Sequence, residues 1–426
     1  MSYKFLIPFT YVLLLSNISI ISLKADELNV LKNQIDQITE KITELEKNFN
    51  DNNPVIKWEP APSFSRKDKM FEMNLRGRIF SDAAWISDND DNINIKATEL
   101  RAARLGIEGK AWNSIKYKFE ADFADDQTTV KDAMIEWKTK SGIKWLAGQF
   151  KTPNSLDEQT SSRHTSLMER ASFTDAFGLA RRIGLGISSG GDRWTGKIGI
   201  YKGANNIEAE NEGHEIAGRF TFSPRTNEIQ LHLGGSLRFR SNGSLSEYRY
   251  RQRPHQHLSS QRFVSTGKIA KKDNFYGLEL AAIRNNIWLA SEYTFLKAKL
   301  ANNAVQNPTF KGTYIEFGTF LTGETRAYKP SKGAWDRTKV KSSVFDGGYG
   351  AWSFTTRFDK IDLNDSAFNG GIQNTIILGV NWHLNPHTKL QVNYNNSKVK
   401  KSDLSINGID RKNTINGIGI RAQVDW

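Results

Sequence analysis

A chain of 426 residues without a single cysteine has no disulfides to hold it together, and it can offer neither thiolate metal sites nor a Cys nucleophile. Its 59 Lys and Arg outnumber its 46 Asp and Glu, and the net charge of +13 calls for anionic partners: solutes, lipid A phosphates or surface glycans. The mean hydropathy of −0.54 is that of a soluble protein, and equally that of a membrane barrel, whose lipid-facing and water-facing residues alternate and cancel.

Lys4, the mostly apolar stretch from Phe5 to Leu23 and the small residue Ala25 follow the order of a secretory signal, with cleavage expected before Asp26. A retained anchor is the alternative. Export argues against nucleic acid as a partner. Beyond this stretch no run of eighteen apolar residues remains, so no further membrane helix is available.

Residues 26–50 place Leu28, Leu31, Ile35, Ile38, Ile42, Leu45 and Phe49 at unbroken 3,4 spacing, which predicts a short heptad helix. Ile at both core positions favours trimers over dimers. About three heptads are marginal alone, so a larger body is expected to bring three copies together; packing on its own barrel is the other reading. Pro54, Pro60 and Pro62 mark residues 51–70 as a linker.

From Phe71 onward the period is 2. In the last segment Ile418, Ile420, Ala422, Val424 and Trp426 oppose Gly419, Arg421, Gln423 and Asp425, one face apolar and the other polar. Sixteen such segments are predicted: 71–86, 98–111, 114–123, 130–139, 142–150, 182–189, 193–201, 213–223, 229–239, 275–284, 286–297, 310–321, 350–360, 373–384, 388–399 and 414–426. Their length suits a tilted bilayer crossing. Tight connections such as Trp112-Asn113 alternate with long ones such as 151–181 and 240–274, and Trp85, Trp112, Trp137, Trp194, Trp382 and Trp426 fall near segment ends, where an aromatic girdle sits. These features predict an all-β protein: a sixteen-stranded antiparallel transmembrane β-barrel over residues 71–426, preceded by a short N-terminal coiled-coil helix. One segment, 322–349, is long on the side where short turns belong, and reads either as an unusual periplasmic excursion or as the sign of a miscounted strand nearby.

Sixteen strands enclose a lumen too wide for side chains to fill, so passive permeation of small solutes is expected, with a structural or adhesive barrel as the rival. The connection 151–181 carries both charge signs, including Lys151, Glu158, Arg163 and Arg170. It reads either as a constriction inside the lumen or as a solvated outer loop. By parity the wall turns basic residues such as Arg104, Lys116 and Arg219 inward together with many carboxylates, so a weak anion preference is expected. Arg249, Arg251 and Arg253 in loop 240–274 would gather anionic solutes at the mouth, bind lipopolysaccharide phosphates, or simply be solvated. A hydrolase would need a Ser/His/acid set; Ser161 and Ser162 near His164 are its only candidates, and loop serines are usually turn formers. No cofactor is expected.

The run Gly148-Gln149-Phe150-Lys151-Thr152-Pro153, continuing from Ser155 through Arg163 to Met168-Glu169-Arg170, resembles the phosphate-selective porin O and P family. So do Leu321-Thr322-Gly323-Glu324-Thr325-Arg326, Gly350-Ala351-Trp352 and Leu378-Gly379-Val380-Asn381-Trp382, and the similarity covers almost the whole chain after residue 25. The resemblance implies a trimeric outer-membrane porin with an N-terminal periplasmic segment, an inward-folded third loop, and anions passing along lysines and arginines. It places Lys116 and Arg219 in the pore lining and Ser161 and Ser162 at the constriction. Arg101-Ala102 stands where phosphate-specific members have paired arginines, and parity sets Arg101 on the face of Leu105 and Ile107, so it needs a bulge or a position above the lipid to reach the pore. Glu158 replaces the lysine that precedes the serines in those members. The terminal Trp426 resembles the signal read by the outer-membrane assembly machinery.

Overall fold

The computed structural model describes residues 25–52, 54–89, 93–124, 127–203, 211–301, 306–365, 368–402 and 412–426. Apart from Ala25, the expected signal segment lies outside them. The chain forms two units, residues 1–55 and 56–426.

The first unit contains one helix, α1 (Ala25–Asn52). Leu31, Ile35, Ile38, Ile42 and Leu45 lie along it at least half exposed.

The second unit is the barrel. Its strands are β1 (Phe71–Asp88), β2 (Asn94–Ala111), β3 (Ile115–Asp122), β4 (Thr129–Lys138), β5 (Lys144–Lys151), β6 (Arg181–Gly190), β7 (Trp194–Lys202) and β8 (His214–Phe222). They continue with β9 (Ile229–Ser241), β10 (Val264–Arg284), β11 (Ile287–Leu300), β12 (Thr309–Phe320), β13 (Ala351–Asp365), β14 (Phe368–His383), β15 (Thr388–Ser402) and β16 (Asn413–Asp425). Each pairs antiparallel with the next, and β16 returns to β1 from Ile415 opposite Asp88 to Asp425 opposite Arg78. Closure leaves no sheet edge unpaired. These are the sixteen predicted segments. The largest difference is at β10, which starts at Val264 rather than 275, because much of the segment read as loop 240–274 is a ladder between Tyr248–Gln252 and Val264–Ala270. Within the segment read as a linker, Ser63–Ser65 pairs with Glu72–Asn74 of β1.

Outward residues such as Ile135, Leu185, Ile198, Leu278, Ile315 and Ile376 are exposed and apolar, as lipid contact requires. The tight turns carry the expected chemistry: Trp112 (φ 48°) and Asn113 (φ 60°) both adopt the left-handed conformation in the three-residue connection between the paired residues Ala111 and Ile115. Barrel closure ends on Trp426, whose backbone exchanges two hydrogen bonds with Gly77 (3.1 and 3.2 Å). A Cβ at Gly77 would run into the indole, so only glycine leaves room for that ring.

The long segment 321–350 falls at the turn end of the barrel, with β12 and β13 paired directly from Lys311–Asp362 to Phe320–Ser353 and no strand missing between them. The strand count therefore stands, and the segment is a genuine excursion.

Candidate functional site: a lumen narrowed by three inserted segments

Residues 152–180 fold into the barrel. Two aromatic residues explain why: Phe173 stacks on Tyr314 of β12 (6.3 Å between ring centres), and Phe177 meets Phe275 of β10 edge-on (6.1 Å). Gly312 leaves space for Phe173 and Gly379 for Leu167. Burying these side chains with Leu156 and Ala171 creates an apolar core between loop and wall. Wall carboxylates then satisfy loop amides: Glu292 accepts from the N–H of Leu156 (3.1 Å) and Asp157 (2.8 Å), and Asp359 from that of Ser172 (3.1 Å). Asn393 accepts from Met168 N–H, while Lys389 and Arg421 donate to loop carbonyls, so the loop spans the lumen.

Two further segments close in on it. From the loop end, Tyr248–Gln252 and its continuation pack over Phe177, and His255 shares a hydrogen bond with Ser172. From the turn end, segment 321–350 enters the lumen: Arg219 donates to Gly333 carbonyl (2.7 Å), and Arg326 donates to that of His164 (2.6 Å) from between the rings of Trp288 and Trp335. Chain from opposite ends of the barrel thus meets inside it.

What remains open is a cavity of 1460 Å³ along one arc of the wall, formed by β16 and β1–β7 and by the inserted segments. Among the described residues its lining holds nineteen Lys and Arg against six carboxylates (Glu108, Asp132, Glu136, Glu158, Glu169 and Asp175). Parity along the strands gave only a narrow basic excess. The difference arises because the inserted loop covers the opposite arc, where Glu292, Glu316 and Asp359 serve as its anchors. Glu120 and Asp122 sit behind Arg76, Arg78 and Arg104, which they bind, and do not line the cavity.

Two β-bulges add cations that simple alternation assigns to lipid. Phe80 pairs with Ala102 and Ser81 with Leu100, so Arg101 is the extra residue and turns into the cavity, its Nε 3.8 Å from Glu169. Glu120 pairs with Asp132 and Ala121 with Val130, so Lys131 is likewise extra, 3.6 Å from Asp122 and lining the cavity.

Of the residues singled out from the sequence, Arg104, Lys116, Lys151, Glu158, Ser161, Ser162, Arg163 and Arg253 line this cavity. Arg104 binds Asp122 (2.8 Å) and Glu120 (3.2 Å), and Lys116 stays half exposed, 3.9 Å from Glu136. Lys151 donates to the Thr160 carbonyl (3.1 Å) and faces Glu158 at 3.3 Å; Glu158 also holds Arg170 at 3.3 Å. Ser161 caps the short turn at Arg163, Ser162 accepts from Arg78 (2.9 Å), and Arg163 reaches Asp425 (3.3 Å). Three positions lie elsewhere. Arg219 is locked in a two-point pair with Glu279 (2.8 and 2.6 Å) under segment 321–350, and Arg249 and Arg251 stand on the loop ladder away from the cavity. Sequence reasoning missed Lys131, whose bulge breaks the alternation, and Lys332, which arrives on segment 321–350.

In the inserted loop, burial opposes ionisation of Asp157, yet Arg357 and Arg170 hold its pKa below the usual carboxylate value. Glu169 behaves alike: burial works against its charge, and Arg101 and Arg421 outweigh it. Both stay ionised as part of the loop's framework.

A closed sixteen-stranded barrel with a loop-narrowed, cation-lined aqueous passage is a diffusion channel of the outer membrane. The family described as phosphate-selective porin O and P matches residues 73–426, and the chain belongs to that family. An uncharacterized protein of Caulobacter vibrioides is 31% identical over 392 residues, covering 87% of this chain and 77% of that one. Porin O of Pseudomonas aeruginosa is 22% identical over 395 residues, covering 82% and 87%. Among solved structures, an anion-selective porin from Comamonas acidovorans superposes with a TM-score of 0.56 at 11% identity, covering 84% of this chain and all of its own.

Proposed function

We propose that this porin passes small anions, phosphate-like ones included, in preference to cations, and works as a homotrimer. The observation that carries the reading is the nineteen-to-six basic lining of the cavity along β16 and β1–β7. Such a wall raises local anion concentration and depletes cations by field focusing. The lineage of Porin O and the fold shared with an anion-selective porin support it. Glu158, paired with Lys151 and Arg170, argues for a broader anion range than orthophosphate alone.

In this reading the signal at residues 1–25 is removed, the turn end and α1 face the periplasm, and the loop end faces outward. Three α1 seams close on one another as a coiled coil, with Ile35, Ile38 and Ile42 at its centre. The assembly machinery recognises the strand ending in Trp426, and outer-membrane lipids with lipopolysaccharide surround the barrel. Purified trimers in a planar bilayer under a KCl gradient test the proposal: the reversal potential is expected to take the sign of chloride permeation. A potential near zero would establish a general diffusion porin instead, and absence of conducting steps a structural barrel.

A further inference from the structure

The outer surface of the barrel carries a cationic belt distinct from the lumen. On β11 the outward residues Ile287, Leu289, Ser291, Tyr293 and Phe295 are followed by Lys297 and Lys299, both exposed. Ile287 to Lys297 spans about 33 Å along the strand, or roughly 25 Å of height at a tilt near 40°, the thickness of an outer-membrane apolar band. The same level bears Lys272 on β10, Lys311 on β12, Lys360 on β13, and Lys398 and Lys400 on β15. Directly beneath, Tyr276 stacks on Phe295 (4.9 Å) and meets Phe239 edge-on (6.1 Å), an aromatic girdle at the level where lipid tails end.

The belt is short of anions. Lys272 and Lys299 face each other directly across the β10–β11 ladder, a like-charge pair that costs stability unless something neutralises it. Among the described residues, Asp362, 3.6 Å from Lys360, and Asp365, which accepts from the N–H of Thr309 opposite Lys297, are the carboxylates of this rim. Toward the loop ends of β3–β7, Phe123, Val130, Ile183 and Ile200 turn apolar side chains outward, and Lys96 of β2, opposite Trp85, is exposed as well, so the lysines are concentrated on β10–β15. A solubilising role would not need lysines set in one row just above the girdle.

We infer that the outward lysines of β10–β15 bind the phosphate groups of an outer-leaflet glycolipid of the lipid A type. The site is placed on the outer wall, not on the arginine-rich loop, whose Arg253 turns into the lumen. The inference rests on the outer-membrane porin reading with the loop end outward.

Binding of the full chain in detergent to bisphosphorylated lipid A and to its dephosphorylated form, by native mass spectrometry and thermal shift, tests it. The phosphorylated lipid is expected to bind at least about tenfold more tightly. The variant Lys297→Gln, Lys299→Gln, Lys311→Gln, Lys398→Gln is expected to lose that difference, and the corresponding Lys→Arg variant to keep it. Equal binding of both lipids, unchanged binding by the Gln variant, or displacement of the lipid by millimolar inorganic phosphate would each overturn the inference. Bilayer conductance of the same preparations reads the porin assignment separately: belt variants that conduct with unaltered selectivity but bind no lipid differentially support the belt, whereas a chain that never conducts overturns the porin reading itself.

Discussion

The carboxylate of Glu158 lies 3.3 Å from the ammonium of Lys151, so the basic residue that opens the constriction loop is neutralised by a residue of the same loop. Replacing Glu158 with Gln leaves that loop hydrogen-bonded, since Lys151 still reaches the Thr160 carbonyl, but adds a net positive charge to the lane. A unit charge about 7 Å from a passing ion in water contributes roughly 0.6 kcal/mol, favouring an anion and opposing a cation by that much each, so the anion-to-cation permeability ratio should rise about sevenfold. Glu158→Lys should raise it further. Reversal potentials in a KCl gradient measure both; unchanged potentials would mean ions bypass this loop.

Glu292 holds the start of the same loop through two backbone N–H groups, each such bond contributing about 0.5–1.5 kcal/mol. Glu292→Ala should loosen the loop while Phe173 and Phe177 keep it inside. The expected readouts are a larger single-channel conductance and faster proteolysis within residues 152–180. A variant with wild-type conductance and protection would show that the aromatic packing alone fixes the loop.

Acid should spare the constriction longer than it spares exposed carboxylates. Asp157 and Glu169 have folded pKa values depressed below the ordinary carboxylate range of about 4. Their stabilising contribution is therefore fully present above that range and is lost only as pH falls through the lower folded values. Single-channel conductance followed downward from neutral pH should hold steady near pH 4 and become unsteady below it. A change of state already at pH 5 would contradict the assignment.

Gly77 and Trp426 fasten the seam between the first and last strands. Gly77→Val forces the indole from its seat and should cost about 1–3 kcal/mol in overpacking. The check is the temperature at which the folded, fast-migrating form is lost on cold SDS gels, expected to fall, with assembly in cells reduced as well.

For the N-terminal helix, Ile35→Asp with Ile42→Asp places carboxylates at the core of the proposed coiled coil and should lower trimer stability without altering monomer conductance. Cross-linking of full-length protein in detergent across a dilution series reports this; unaltered trimers would assign the apolar seam to another surface.

All sixteen barrel strands were legible in the sequence because alternation between lipid and water is imposed at each residue and needs no tertiary information, whereas the strands at Ser63–Ser65 and Tyr248–Gln252, outside that alternation, were not. Strand counting put 322–349 on the turn side but left a miscount nearby as the alternative, which the direct pairing of β12 with β13 removes. At Arg101 the misfit was readable, since a cation on the face of Leu105 and Ile107 has no stable place in lipid; the ladder decides for a bulge over a position above the lipid. What the sequence hid were relations between distant segments. The polar inner wall of β10–β13 looks like any wet surface until Phe173 and Phe177 are brought against Phe275 and Tyr314. Arg219 has the parity of a pore residue, but Glu279 and the carbonyl of Gly333 remove it from the passage, and neither partner is near it in the chain.

The two bulges have a consequence for how such a channel changes over generations. On either side of Arg101, and again of Lys131, the ladder is already in phase: Phe80 with Ala102 and Ser81 with Leu100, Glu120 with Asp132 and Ala121 with Val130. Deleting either residue outright would straighten the strand without turning one neighbouring side chain from membrane to water. The permeability of the passage can therefore be edited by three-nucleotide losses or gains, in a sheet where a single-residue deletion almost anywhere else would invert every side chain beyond it.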